Sequence, residues 1–245
     1  MKDTQFKIKS NRPIAKNTYE CVLVGDTSDI TAPGQFVNIK LDGLYLRRPI
    51  SVCDLDGDEL TLVYKVVGKG TEQMAKTPAG ESWQILTGLG NGYNTSLSGN
   101  APLLIGGGVG VPPLYLLCKK LSAQGKKCSV VLGFGSADEV FYEEKFRELC
   151  DDVRVCTVDG SYGIKGFVTD ALDGIEYTHF YTCGPEPMLK AVYTKTVSGG
   201  SFSFEERMGC GFGACMGCSC KTVTGYKRIC KEGPVMQKED ILWEK

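Results

Sequence analysis

Five cysteines fall within the 21 residues from Cys210 to Cys230, in the stretch MGCGFGACMGCSCKTVTGYKRIC. Cys210, Cys215 and Cys218 are spaced C-x4-C-x2-C, and Cys230 follows Cys218 after eleven residues. Structural zinc usually takes two C-x2-C pairs, whereas C-x4-C-x2-C with a more distant fourth cysteine is the order of a binuclear iron–sulfur loop. Gly209, Gly211, Gly213 and Gly217 let the backbone wrap closely around a bulky inorganic core and free N–H groups to bond its sulfides. The expected occupant is a [2Fe–2S] cluster, with zinc or free redox thiols as the alternatives. A hairpin is predicted after Cys218, with strands Ser219–Val223 and Tyr226–Cys230 around a turn at Thr224-Gly225. That register pairs residue 223 with 226 and 219 with 230, which returns Cys230 beside Cys218. Cys210, Cys215, Cys218 and Cys230 are then the ligands, and Cys220 is spare.

Three further stretches suit nucleotides. Arg48-Pro49-Ile50-Ser51 offers a cation and, three positions on, a hydroxyl, a pair able to hold a pyrophosphate and a flavin edge. Taken alone it also reads as a surface arginine. Gly68-Lys69-Gly70-Thr71 opens a short helix whose N–H groups suit phosphate. Gly106-Gly107-Gly108-Val109-Gly110 lies between a predicted buried strand and a helix beginning at Pro112, where a glycine turn brings N–H groups to a dinucleotide. Val111 stands where G-x-G-x-x-G has its third glycine, which argues against an ordinary Rossmann dehydrogenase. Asp138 and Glu139 follow the next strand without an arginine. They favour a free ribose hydroxyl, so NAD over NADP, or equally a solvated helix start. Cys183, in Cys183-Gly184-Pro185-Glu186-Pro187-Met188, falls at the end of a predicted parallel strand, where ligands bind in open α/β sheets.

The elements that must position these residues change in texture along the 245-residue chain. Residues 1–98 read as short strands (Gln5–Lys9, Tyr19–Val24, Gln35–Ile39, Pro49–Val52, Leu60–Val67, Ser82–Leu86) with one helix near Thr71–Lys76, the pattern of a small antiparallel barrel. Residues 99–200 alternate strands (Leu103–Ile105, Ser129–Gly133, Val153–Val158, His179–Thr182) with helices (Pro112–Ala123, Glu139–Cys150, Pro187–Val197), the pattern of a parallel-sheet α/β domain. Residues 201–245 are rich in Gly and Cys and too few for a core of their own, as in a small metal-binding domain. The net charge of −1 comes from mixed signs, so no nucleic-acid footprint is expected. No apolar run reaches the roughly 20 residues of a membrane span. The polar N-terminus reads as neither signal nor anchor, and a cytoplasmic location is expected. Twelve cysteines in such a compartment argue against a disulfide framework. The single histidine, His179, leaves no room for a His-rich metal site and is read as structural.

R-P-x-S in a barrel, G-G-G-x-G-x-x-P and C-G-P-x-P-M together resemble the ferredoxin–NAD(P)+ reductase superfamily over about residues 1–200. With C-G-x-G-A-C-x-x-C and Ile229-Cys230-Lys231-Glu232-Gly233-Pro234-Val235 added, the whole chain resembles the electron-transfer subunits of dihydroorotate dehydrogenase B. The last cysteine gap is much shorter than in a plant ferredoxin, so the cluster segment is not a ferredoxin domain proper. The resemblance implies FAD on Arg48, Pro49, Ile50 and Ser51, with Val63, Tyr64, Lys65, Gly70 and Thr71 at the other flavin positions. It implies NAD at Gly106, Gly107, Gly108 and Gly110 and around Cys183, which would line the nicotinamide pocket. It implies an FMN-containing partner that oxidises dihydroorotate in pyrimidine biosynthesis, two of each subunit, and electrons passing from FMN through [2Fe–2S] and FAD to NAD+. The same modules serve reductase subunits of other redox complexes, such as hydrogenases, sulfide dehydrogenases and transhydrogenases. A non-catalytic redox sensor or zinc-stapled binding module is the alternative of a different class.

Overall fold

Phe6 and Ile8, Cys21 and Leu23, and Leu60, Leu62 and Tyr64 recur at every second position and are almost wholly buried. Period-two burial of this kind gives one inward face per strand. In the computed structural model, which describes residues 1–243, these strands close into an antiparallel barrel. Its strands are β1 (Lys2–Ala15), β2 (Thr18–Val24), β3 (Phe36–Lys40), β4 (Arg48–Asp56), β5 (Glu59–Lys65) and β6 (Ser82–Leu89), in the order β1-β2-β5-β4-β3-β6. Helix α1 (Lys69–Lys76) lies between β5 and β6.

The second half builds one sheet. It contains β7 (Pro102–Gly107), β8 (Ser129–Phe134), β9 (Asp152–Thr157), β10 (Ile164–Lys165), β11 (His179–Cys183) and β12 (Gly200–Ser203), all parallel, in the order β10-β9-β8-β7-β11-β12. Helices α2 (Pro112–Ala123), α3 (Glu143–Arg147) and α4 (Glu186–Lys195) connect them. The hairpin of β13 (Ser219–Thr222) and β14 (Gly225–Arg228) stands apart, and β15 (Val235–Gln237) returns to pair antiparallel with β12. Both ends of the cysteine-rich segment are therefore anchored in the parallel sheet, which gives a short segment the neighbour it needs in order to fold. No helix among the described residues is long and apolar enough to cross a membrane.

Two expectations are corrected. The helix foreseen over Glu139–Cys150 shrinks to Glu143–Arg147, preceded by a 3-10 turn at Ala137–Glu139. Tertiary packing overrides helix propensity here: Phe141 stacks edge-on against Phe134. Tyr142 turns left-handed (φ 67°) and reaches Glu20 of the barrel with its hydroxyl, 2.7 Å away. The hairpin register is also displaced by two residues. Thr222 pairs with Gly225 and Ser219 with Arg228, so the turn is Val223-Thr224. Thr222 is buried, donates to the Gly225 carbonyl (2.7 Å) and bridges to Ile241, which fixes the register from outside the hairpin. An even shift leaves each side chain on its face, and the Ile229 N–H still donates to the Cys218 carbonyl (3.1 Å), so Cys230 does return beside Cys218.

Barrel and sheet share packing. Leu116 of α2 belongs to the barrel core, while Cys53 and Val63 of the barrel pack into the core beneath the sheet. Ion pairs Lys65–Glu139 (2.8 Å), Lys119–Asp54 (3.0 Å) and Lys145–Glu20 (2.8 Å) stitch the seam. His179 is buried, its Nε2 3.0 Å from the Ser201 hydroxyl, in a structural position.

Candidate functional site

The cysteine loop brings its thiols together in two pairs. The N–H groups of Ala214 and Cys215 donate to Cys210 Sγ (3.2 and 3.4 Å), and the Cys210 N–H lies 3.5 Å from Cys215 Sγ. The Cys230 N–H lies 3.5 Å from Cys218 Sγ. Burial opposes ionisation of Cys210, but the N–H groups of Cys215, Phe212 and Ala214 outweigh it and bring that thiol down to about 6. Burial and the neighbouring Cys218 push Cys230 up to about 12. Cys218 and Cys230 are buried, Cys210 is half-buried and Cys215 is exposed. Cys220 lines a third cavity, together with Glu206 and Trp243. The loop leans on the barrel, where Asn38 Nδ2 of β3 donates to the Cys210 carbonyl (3.3 Å).

A cavity of about 370 Å³ opens beside this loop. Arg48, Pro49, Ile50 and Ser51 of β4, Val63, Tyr64 and Lys65 of β5, and Thr71 of α1 all line it. Met208 and Pro234 of the cysteine segment close its other side. Gly70 lies under Arg48, where a Cβ would sit 2.1 Å from the guanidinium Nε. Thr71 Oγ1 accepts from the N–H groups of Val67 (2.9 Å) and Gly68 (3.2 Å) and so fixes the turn into α1.

A second cavity of about 600 Å³ lies at the carboxyl ends of the parallel strands. Gly107, Gly108 and Gly110 line it, together with Gly184, Met188 and the exposed ring of Phe167. Gly106 is not among the lining residues. It lies within β7, where Val111 and Leu114 pack closely against it. Cys183 does not line the cavity either. It is buried beneath it, its carbonyl pressed against Gly110, and burial, with the nearby charge of Glu205, drives its thiol well above the ordinary range. Lys65, Val109 and Glu205 line both cavities, so the two spaces meet at these residues. Protein walls around Glu205 raise its carboxyl above the usual carboxylate range. The sequence reading missed Glu205, Phe167 and Met208. Glu205 carried a usable signal, an acid just past the strand-like Ser201-Phe202-Ser203-Phe204, at the end of a strand where ligands gather in open sheets.

The family model described as the iron–sulfur cluster binding domain of dihydroorotate dehydrogenase B matches residues 205–242. That of the oxidoreductase NAD-binding domain matches residues 104–194. The chain is 45% identical over 258 residues to the dihydroorotate dehydrogenase B (NAD(+)) electron transfer subunit of Bacillus mycoides strain KBAB4, covering 99% of each chain. The chain belongs to the family of dihydroorotate dehydrogenase B electron transfer subunits. The subunit of this family from Geobacillus sp. strain WCH70 is 42% identical over 256 residues, again covering 99% of each chain. Among solved structures, an NADH-dependent reduced ferredoxin-NADP oxidoreductase studied for flavin-based electron bifurcation aligns with a TM-score of 0.89 and 29% identity, covering 99% of this chain and 91% of that one. A ferredoxin NADP+ reductase from Neisseria gonorrhoeae with bound FAD and NADP shares the fold, at a TM-score of 0.70 and 16% identity over 80% of this chain and 90% of that one. As a dihydroorotate dehydrogenase B electron transfer subunit, the chain is an oxidoreductase component with an iron–sulfur cluster-binding domain on a FAD/NAD-binding reductase fold, and it works with a catalytic subunit.

Proposed function

We propose that the chain is organised as a FAD-binding barrel (1–98), an NAD-binding domain (99–200) and a [2Fe–2S]-binding segment (201–245, whose last two residues lie outside those described), and that it carries electrons from an FMN-containing dihydroorotate-oxidising subunit to NAD+ in pyrimidine biosynthesis. The two-by-two arrangement of Cys210 with Cys215 and Cys218 with Cys230 supports a binuclear cluster, in which each iron takes two thiolates. The N–H groups of Ala214 and Cys215 aimed at Cys210 Sγ favour its thiolate, the form that ligates a metal.

The first cavity fits FAD. Arg48 and Lys65 supply cations, Ser51 and Thr71 hydroxyls, and Pro49, Ile50, Val63 and Tyr64 apolar wall. Bound there, FAD supplies the conversion between electron pairs and single electrons that joins a hydride carrier to an iron–sulfur cluster. The glycine turn Gly107–Gly110 would hold the dinucleotide phosphates on its backbone N–H groups, since α2 itself opens on Pro112-Pro113 with no N–H to offer, and the exposed Phe167 would be available to the adenine. Met188 and Gly184 border the nicotinamide end. Cys183 shapes that end through its carbonyl against Gly110 and is not a nucleophile. Glu139, held by Lys65 and the Gly135 N–H (3.2 Å), suits a ribose hydroxyl and supports NAD over NADP.

One observation carries the reading: the two cavities meet at Lys65, Val109 and Glu205, and Met208 and Pro234 of the cluster segment wall the first of them. The three candidate redox stations thus adjoin one another, the cluster segment forming a wall of the first cavity and the first cavity sharing lining residues with the second. We place the working complex in the cytoplasm, with two copies of each subunit. A tagged chain purified from native cells should co-purify with an FMN subunit and reduce NAD+ with dihydroorotate. A yellow-brown complex that oxidises NADH but ignores dihydroorotate would refute the partner and leave the redox wiring standing.

A further inference from the structure

Arg228 ties together two parts of the cysteine site that sequence separates. Its Nη1 donates to the Gly213 carbonyl (2.6 Å), midway between Cys210 and Cys215. Its own carbonyl accepts from the N–H groups of Lys231 (3.0 Å), Glu232 (2.9 Å) and Gly233 (3.2 Å), the turn that holds Cys230. Glu232 grips the same residue, accepting from the Arg228 N–H (2.8 Å), from Nε (2.9 Å) and from Nη2. The turn is itself fixed to the barrel, because Asn91 donates to the Glu232 and Val235 carbonyls (2.9 and 2.7 Å). The Gly213 peptide is thus a double joint, because its N–H also reaches the Cys230 thiol while its carbonyl is held by Arg228. The Arg228 side chain is only 23% exposed, and its charge reaches Cys230 and Cys218.

We propose that Arg228 is the positioning residue of the cluster site: it locks the Gly213 peptide, and with it the Cys210–Cys215 pair, against the strand bearing Cys230, and the Arg228–Glu232 pair sets the reduction potential of the group the thiols hold. This rests on the ligand assignment made above. A forked guanidinium is needed because it bonds Gly213 and Glu232 at once, and an ammonium has no such plane. The charge follows from electrostatics. A cation beside an anionic cluster favours its reduction, and a carboxylate beside it disfavours reduction. Removing the two charges should therefore shift the potential in opposite directions. A mere brace loosened from either end would not separate the two signs.

The test is an EPR-monitored redox titration of the complex with its partner, FAD and cluster loaded, with iron content measured alongside. Arg228→Gln is expected to lower the cluster potential and Glu232→Gln to raise it. Arg228→Lys is expected to stay nearer the wild-type potential than Arg228→Gln while losing iron faster to a chelator. If Arg228→Gln retains no iron, Glu232→Gln decides: a positive shift upholds the proposal and an unmoved potential overturns it. Shifts of the same sign in both glutamine variants, or none, overturn it as well. Failure of the ligand assignment looks different, because it appears as iron retained in Cys230→Ser, whatever the potentials of the Arg228 variants.

Discussion

Gly110 gives the sharpest test of the second cavity. A Cβ built on it would lie 2.3 Å from the Cys183 carbonyl oxygen, 2.4 Å from the Cys183 carbonyl carbon and 2.5 Å from the Gly184 nitrogen. All three are backbone atoms, and ordinary contact begins at 3.4 Å, so the chain beyond β11 must retreat by about 1 Å. That chain carries Gly184 and Pro185, which line the cavity. Gly110→Ala therefore has two consequences. Overpacking costs about 3 kcal/mol, the upper end of the usual range, because no flexible side chain can absorb it. For a chain of this length that is a fall in Tm of about 6–12 °C. A displacement of about 1 Å at a site that must align two reactants costs on the order of 100-fold in rate. Anaerobic stopped-flow reduction of the bound flavin by NADH reads the rate, a thermal melt reads the stability, and iron content should match wild type. Gly125→Ala is the control. Gly125 has a left-handed φ (75°), which Gly110 lacks, and open space around it, so its alanine variant meets backbone strain without overpacking and should lose only about 1 kcal/mol and no rate. A wild-type rate of flavin reduction in Gly110→Ala, or an equal loss in Gly125→Ala, would refute the placement of NAD on this turn.

Two further outcomes follow from single residues. Cys230→Ser should lose its iron while Cys220→Ser keeps it, and equal iron content in the two variants would sink the ligand assignment. Glu20, only 4% exposed, pays a burial penalty that its bonds to Lys145, Tyr142 and Arg12 outweigh, so its carboxyl titrates below the ordinary range. Its stabilisation is then fully present above the unfolded value of about 4.3 and disappears as pH falls through the lower folded value. Because Arg12 and Lys145 are partly solvated, Glu20→Gln should cost about 1–2 kcal/mol in urea unfolding at pH 7 and almost nothing well below pH 4. A difference between the two proteins that persists unchanged into acid would refute it.

What was legible before the structure was local. Cysteine spacing, glycine turns and strand alternation are decided within a few residues, so the loop, the barrel and the start of α2 at Pro112 could all be foreseen. What escaped is decided across the fold. The helix expected at Glu139 has good local propensity, but Tyr142 spends its backbone on reaching Glu20, more than a hundred residues away in the chain. The hairpin turn is chosen by Thr222 bridging to Ile241, a partner that no spacing rule within the hairpin reveals. Glu205 lies unremarked in Phe204-Glu205-Glu206-Arg207 until β12 is seen to run parallel beside β11 and deliver it to the junction of the two cavities. The same route explains why the cluster segment needs no core of its own. It leaves the sheet at Ser203, rests the Cys210 carbonyl on Asn38 of the barrel and re-enters the sheet at Val235. Its ends are thus held by the domain with the dinucleotide cavity, while its middle rests on the domain with Arg48 and Ser51. Any change that separates barrel from sheet must therefore also disturb the thiols, and retention of iron becomes a report on the seam as well as on the ligands.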